Sequence, residues 1–224
     1  MQANWPEPLR RQVQNLVDQW LLNPPAWIGI AAIETLGTTG RFAGTLRRGG
    51  RIEPLGGRLP SRAFVWMQGS EPELWVDPRD TGYRDLYAEF AATRLNLPGR
   101  LSGADFNIDH TFPKAAGALD GLSHVRLLAI APASNQSAGR TLEKVMKQRA
   151  DAAPGGKAVR SATPMTIGKA TGFAGWRELP GERGSPGNAA VAAALYAHLQ
   201  ASGIHVAFPL LEQELAAFML GGIR

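Results

Sequence analysis

Four polar residues in the middle third of the chain have side chains that could do chemistry together: Asp109, His110, His124 and Asn135. His110 precedes Asn135 by 25 residues, and His124 stands 14 after the first and 11 before the second. A carboxylate and an amide oxygen are hard donors, suited to Mg²⁺ or Mn²⁺. A histidine titrates near neutral pH and can take a proton from water. The chemistry such a set could perform is metal-assisted hydrolysis. Each residue also has an ordinary reading. An Asp-His pair at a strand end can bond backbone groups, and His124 can be a plain strand residue. Asn135 can cap a helix, as Ser134 or Ser137 could equally well. Their common spacing is what gives the four weight.

The elements that must position them are legible around "FNIDHTFPKAAG", residues 106 to 117. The pattern predicts a strand over roughly 105 to 110, stopped by Thr-Phe-Pro. A loop of small residues is expected from 111 to 123. "HVRLLAIA" reads as a second strand, with Val125, Leu127 and Ala129 alternating against Arg126. "SNQSAGRTLEKVMKQRA" leads into a basic helix, with Asn135 just ahead of it. Strand, strand and helix at this scale make a ββα unit with polar side chains gathered at one end.

The stretch "IDHTFPKAAG…LSHVRLLAIAPASNQSAG" resembles the HNH branch of the His-Me finger (ββα-metal) endonucleases. Asp109, His110, Pro113, Leu127-Leu128, Asn135 and Gly139 stand where that pattern has its Asp-His, Pro, Leu pair, Asn and Gly. The resemblance covers roughly residues 104 to 150. The Tyr-Arg-x-x-Tyr helix before it is similar to bacterial toxin nucleases of the branch. The resemblance implies a metal-dependent endonuclease, with DNA as the expected substrate and RNA left open. It implies His110 as general base, His124 in the middle position usually held by Asn, and Asp109 and Asn135 as ligands of one Mg²⁺ or Mn²⁺. It also implies a toxin or secreted effector with an inhibitor (immunity) protein as partner. The CxxC zinc pairs of many members are missing, since the chain has no cysteine.

The flanks complete the expectation. Leu9, Val13, Leu16, Val17 and Trp20 make residues 7 to 22 an amphipathic helix ended by Pro24-Pro25. "AWIGIAAIETL" is a buried helix or strand. Residues 37 to 62 read as a loop or loose hairpin, and "AFVWMQG" and "ELWVD" as a strand pair. "DPRDTGYRDLYAEFAATRL" reads as a helix capped by Thr81 or Asp80, with Tyr83, Leu86, Tyr87 and Phe90 on one face. Residues 151 to 187 look irregular. After them come an Ala-rich helix, a short "GIHVAF" strand and a last helix. His198 and His205 are expected to be structural, and the six Trp residues core or hinge anchors. The expected fold class is α+β: a central ββα-metal unit in a mostly helical single domain. Its parts are residues 1–103, the nuclease core 104–150, and 151–224 packed on the same domain.

Composition narrows the function classes. Without cysteine there is no disulfide, thiolate zinc site or cysteine nucleophile. No Walker loop, GxGxxG or GxSxG occurs, which leaves nucleotide-cofactor and α/β-hydrolase readings without support. No signal core or membrane-length apolar run is present, so a soluble protein is expected, bacterial and cytoplasmic or delivered by a signal-independent route. Net charge is +5, and residues 140 to 183 carry nine Lys/Arg against four Asp/Glu. Arg140, Lys144, Lys147 and Arg149 are placed along a nucleic-acid backbone, neutralising phosphates without reading sequence. The Arg-rich 41 to 62 stretch is a further cationic segment. The competing reading keeps the fold and drops the chemistry, leaving a catalytically silent nucleic-acid- or protein-binding domain.

Overall fold

A computed structural model describes residues 4–22, 26–37, 40–42, 45–47, 50–68, 71–97, 105–153, 155–156, 158–177 and 186–219. The chain is α+β, built on an antiparallel sheet. The first helix, α1 (Glu7–Leu22), spans the predicted amphipathic segment and buries Leu9, Val13, Leu16 and Val17. It is followed by β1 (Trp27–Ile30), so the ambiguous apolar run is a strand, then by the short α2 (Glu34–Gly37). The Gly/Arg segment contains a small hairpin, β2 (Gly40–Phe42) with β3 (Thr45–Arg47), and then β4 (Arg51–Pro54). β4 joins the main sheet by pairing with β5 (Ala63–Gln68), which pairs with β6 (Glu71–Val76).

Alternation along these strands feeds two cores. Ala63, Val65, Leu74 and Val76 face the large core under the helices, while Phe64, Trp66 and Trp75 join Ile30 and Leu36 on the opposite side. On the large-core side lies α3 (Tyr83–Arg94), with Tyr83, Leu86, Tyr87 and Phe90 all buried. Its cap corrects the sequence expectation. Gly82 is the N-cap with no side-chain bond to the helix, and Asp80 instead accepts from the Gly82 N–H.

The central strand is β8 (His124–Ile130), buried at every position. At its start it is flanked by β6 and β1. At its end it pairs with β7 (Asn107–His110), Asp109 opposite Leu128 and His110 opposite Leu127. Thr111 secures the join: its N–H and hydroxyl both donate to the Arg126 carbonyl, at 3.0 and 2.9 Å. The expected loop after β7 contains a helix, α4 (Lys114–Leu119), which begins straight after Pro113. Beyond β8 the chain forms α5 (Pro132–Arg140) and α6 (Leu142–Ala152).

The stretch expected to be irregular holds two elements. β9 (Val159–Ser161) pairs with β1, and α7 (Pro164–Thr171) packs on β8. α7 is short but well delimited. Thr163 and Thr166 form a capping box, Pro164 occupies the first turn, and Gly172 ends the helix at φ 100°, a conformation that favours glycine. The C-terminal part is α8 (Pro186–Ala201) and α9 (Phe208–Met219). Residues 204 to 207 between them are not a strand, contrary to the sequence expectation. No described helix is long and apolar enough to cross a membrane.

Candidate functional site

β7 carries Asp109 and His110 to the end of its pairing with β8, and the Thr111–Pro113 break stops the strand there. Asp109 keeps 21% of its side-chain exposure while His110 is 1% exposed. The His110 ring lies against Tyr83 of α3, centroids 4.7 Å apart. His110 Nδ1 is 3.9 Å from Asp109 Oδ1, too far for a hydrogen bond. Neither of its ring nitrogens has a hydrogen-bond partner.

The other three histidines of the chain are all bonded. His124 Nδ1 lies 2.9 Å from Ser123 Oγ, and its Nε2 takes the Pro60 carbonyl at 2.8 Å. His198 Nε2 lies 2.9 Å from the Thr171 hydroxyl, and His205 Nδ1 lies 2.6 Å from Gln200 Oε1. Gln12 Oε1, Arg126 Nε and the Trp66 and Trp176 indole N–H groups are also buried without a partner, so His110 stands apart among the histidines and not among all buried polar groups.

Two residues from distant parts of the chain complete the cluster. Lys169 projects from α7, and its ammonium donates to Asp109 Oδ2 at 2.7 Å and to the Glu143 carboxylate of α6. The His110 carbonyl lies 3.4 Å from the same Nζ. Burial works to raise the Asp109 carboxyl, but the His110 imidazole and the Lys169 ammonium beside it hold it well below the usual carboxylate range. Glu143 moves the other way, raised by burial, with Lys169 only partly offsetting this and Asp109 adding to it. Burial works to lower the Lys169 ammonium, yet the two carboxylates raise it, so it stays charged. The cluster therefore sets two carboxylates against one cation. α7 is itself held in place by the Ser134 hydroxyl of α5, which donates to the Lys169 carbonyl at 3.0 Å.

The exposed Arg84 and Lys114 flank the site. Their charges sit 4.6 and 5.3 Å from the centre of the Tyr83 ring that covers His110, and neither forms an ion pair among the described residues. A small cleft of about 40 Å³ adjoins Glu143 and Lys169 on the side of α5, α6, α7 and α9. It has room for a few waters and is too small for a nucleotide.

The sequence-predicted residues divide on this geometry. Asp109 and His110 are together at the site. His124 is not with them: His110 pairs with Leu127, three residues or roughly 10 Å further along β8. The His124 ring is fastened to the segment before β5 and packs on Phe64. Asn135 lies inside α5, its N–H bonded to the Ala131 carbonyl, and not ahead of the helix. Its amide forms no hydrogen bond to Asp109, His110, Glu143 or Lys169.

Arg140 and Lys144 are exposed, and Lys147 pairs with Asp151. Arg149 is partly buried with its guanidinium 4.7 Å over the Phe218 ring, so it packs α9 on α6 and does not line an outer face. In the Arg-rich stretch the described arginines are each paired with a carboxylate: Arg51 with Glu53, Arg58 with Glu89 of α3 and Arg62 with Asp80. Arg41, Arg47 and Arg48 lie where side chains are outside the described residues.

Glu143, Lys169, Tyr83, Arg84 and Lys114 were not singled out as site residues from the sequence. One signal for Lys169 was present. Thr163-Pro164 is a helix start, and Met165, Ile167 and Ala170 make that helix apolar, which leaves Lys169 as a cation on a buried face.

Among the described residues no group of three or more His, Asp or Glu side chains is placed to hold a metal ion. Asp109, Glu143 and the His110 carbonyl present oxygen atoms to the Lys169 ammonium. No protein-family model, curated protein or solved structure matches the chain.

Proposed function

We propose that the chain is a metal-dependent endonuclease that hydrolyses phosphodiester bonds of DNA with little sequence specificity. The observation that carries this reading is His110. It is the one histidine of four with both ring nitrogens unbonded, and it sits beside a carboxylate at the end of a β7–β8 pair that α5 follows. The other three histidines are each bonded through a ring nitrogen. A histidine kept for a substrate has a reason to be left open.

In this reading His110 takes the proton from the attacking water. Its Nδ1 is turned toward Asp109, which leaves Nε2 as the accepting atom. Asp109 and Glu143 would hold the cation, which would supply stabilisation of phosphorane charge and of the leaving oxygen. Tyr83 packs against the His110 ring, which is 1% exposed, so a neighbouring group must move for water to reach Nε2. Arg84 and Lys114, beside Tyr83, draw the phosphate backbone to this end of the sheet, and Arg140 and Lys144 extend the path. The same reading makes the protein a toxin or effector, with an inhibitor protein as its partner.

The test is cleavage of supercoiled plasmid with Mg²⁺ or Mn²⁺, with and without a chelator. Metal-dependent nicking that disappears in His110→Ala is expected. Full activity in that variant would exclude the assignment. A second reading, a catalytically silent nucleic-acid-binding domain, is favoured by the coverage of His110 and by the neutralisation of Asp109 by Lys169. It predicts DNA binding with no cleavage under any metal.

A further inference from the structure

We propose that Tyr83 is a gate over His110, and that a phosphate group taken up by Arg84 and Lys114 opens it. The inference rests on reading His110 as the group that meets substrate. In the closed arrangement His110 is 1% exposed and neither of its ring nitrogens has a hydrogen-bond partner. Its ring makes one aromatic contact among the described residues, with Tyr83. A base shut off from water cannot work until a neighbour moves, and Tyr83 is placed to be that neighbour.

Its position in the chain is the first support. Tyr83 is the first residue of α3, and Gly82 before it is an N-cap with no side-chain bond to the helix. The N–H groups of a first helical turn have no partner within the helix. This turn can therefore shift, or the Tyr83 side chain rotate, while the later turns keep their bonds. Leu86, Tyr87 and Phe90 hold those turns in the core, so the movement is local.

The second support is what holds the ring. The Arg84 and Lys114 charges lie 4.6 and 5.3 Å from its centre, on side chains that are both exposed and that come from two elements, α3 and α4. Arg58, Arg62 and Arg79 each pair with a carboxylate, whereas Arg84 and Lys114 form no ion pair among the described residues. They are cations resting on a ring. An exposed cation–π contact is weak, and a charge-assisted hydrogen bond to phosphate is stronger. An oxyanion therefore draws both cations off the ring, and Tyr83 loses two of the contacts that hold it against His110. The same event brings phosphate to the mouth of the site and uncovers the base.

The experiment is acylation of histidine by diethyl pyrocarbonate, read residue by residue by peptide mass spectrometry, at constant ionic strength and without DNA or metal. The exposed His205 is the reference for the reagent, and the buried His124 reports any general loosening. In the wild type, inorganic pyrophosphate should raise the rate at His110 on the order of tenfold, the worth of two cation–π contacts. Tyr83→Ala should show the raised rate without pyrophosphate. Arg84→Gln/Lys114→Gln should also react faster than wild type and no longer respond to pyrophosphate. No rise in the wild type would overturn the proposal, as would a His110 still protected in Tyr83→Ala, or a rise shared by His124. Should Tyr83→Ala fail to fold, Arg84→Gln/Lys114→Gln decides, since it alters only two exposed side chains: a wild-type response there would overturn the gate. The readout is independent of cleavage. A responsive His110 in a protein that never cuts DNA would keep the gate and remove the nuclease reading, and an active nuclease with an unresponsive His110 would remove only the gate.

Discussion

Two buried ionic clusters, one at each end of β8, use the same chemistry to different ends. Near its start, Arg126 pairs with Glu73 of β6 at 3.2 Å, both side chains fully buried. The Glu73 carboxylate also accepts from Asn15, Gln19 and Trp75, and Arg126 donates to Gln19 Oε1 at 3.0 Å. One cation meets one anion, solvent is absent and α1 is tied to the sheet, although Arg126 Nε, like the His110 ring, has no bond of its own. Beside its far end, where β7 joins, Lys169 meets two carboxylates that keep about a fifth of their exposure, beside a histidine with nothing to bond. A balanced, closed pair holds structure together. An unbalanced pair with an open edge has capacity left for something else. Burial alone does not separate the two clusters; stoichiometry of charge and access do.

The sharpest way to break this comparison is at His110. His110→Ala should lower plasmid cleavage by about 10²- to 10⁴-fold, the usual contribution of a general base, with the thermal midpoint little changed. Cleavage that persists while the fold is intact would place both clusters in the structural class.

Arg126→Met tests the closed pair. It strands Glu73 without its cation and should destabilise the fold by about 3–5 kcal/mol in denaturant unfolding. Cleavage per folded molecule should be unaffected. A destabilisation below about 1 kcal/mol would mean that water reaches Glu73 after all.

Next comes binding. Arg84→Ala/Lys114→Ala, measured on the His110→Ala background so that DNA stays whole, should reduce the slope of log affinity against log salt by roughly 2, since each phosphate left without its cation lowers the slope by about 0.9. An unchanged slope would move the phosphate path away from Tyr83.

The smallest effect is a pH dependence at His124. Burial, only partly opposed by the Pro60 carbonyl, pushes its imidazole below the ordinary 6.5. Below that pH the unfolded chain binds a proton that the buried ring refuses. Stability is therefore fully present above pH 6.5 and falls as pH drops toward the folded value, by at most about 1.4 kcal/mol per pH unit. His124→Gln should flatten that part of the stability curve while leaving cleavage in place. Loss of cleavage in a folded His124→Gln protein would restore His124 to the site.

Local rules made much of the fold legible. α1 followed from its apolar spacing, β5 and β6 from β-branched and aromatic runs, and β7 from an apolar approach cut by Thr-Phe-Pro. The errors fell where tertiary packing overrides local pattern. Small residues between 111 and 123 read as loop, yet Ala116 and Gly117 pack as α4 against the sheet. Residues 151 to 187 read as irregular because Gly, Pro and Lys dilute the period, yet β9 finds β1, and α7 is delimited by its cap and by Gly172. Arg126 read as the polar side of an alternating strand, and instead it is sealed against Glu73. A two-residue period states which side a residue faces, and α1 decides that this side is not water.

For the candidate site the division is sharper. The sequence by itself determined that Asp109 and His110 are adjacent at the end of a strand, because covalent neighbours and a proline break are local facts. That Glu143 and Lys169 join them, and that His124 lies further along β8, was decided by the tertiary structure alone. Glu143 and Lys169 lie 26 residues apart, and Lys169 lies 60 from Asp109. Only the packing of α6 and α7 around the β7–β8 junction brings these charges together. The physical reason is that a buried lysine is tolerated only where carboxylates meet it, and which carboxylates do so depends on the packing of distant elements, not on spacing along the chain.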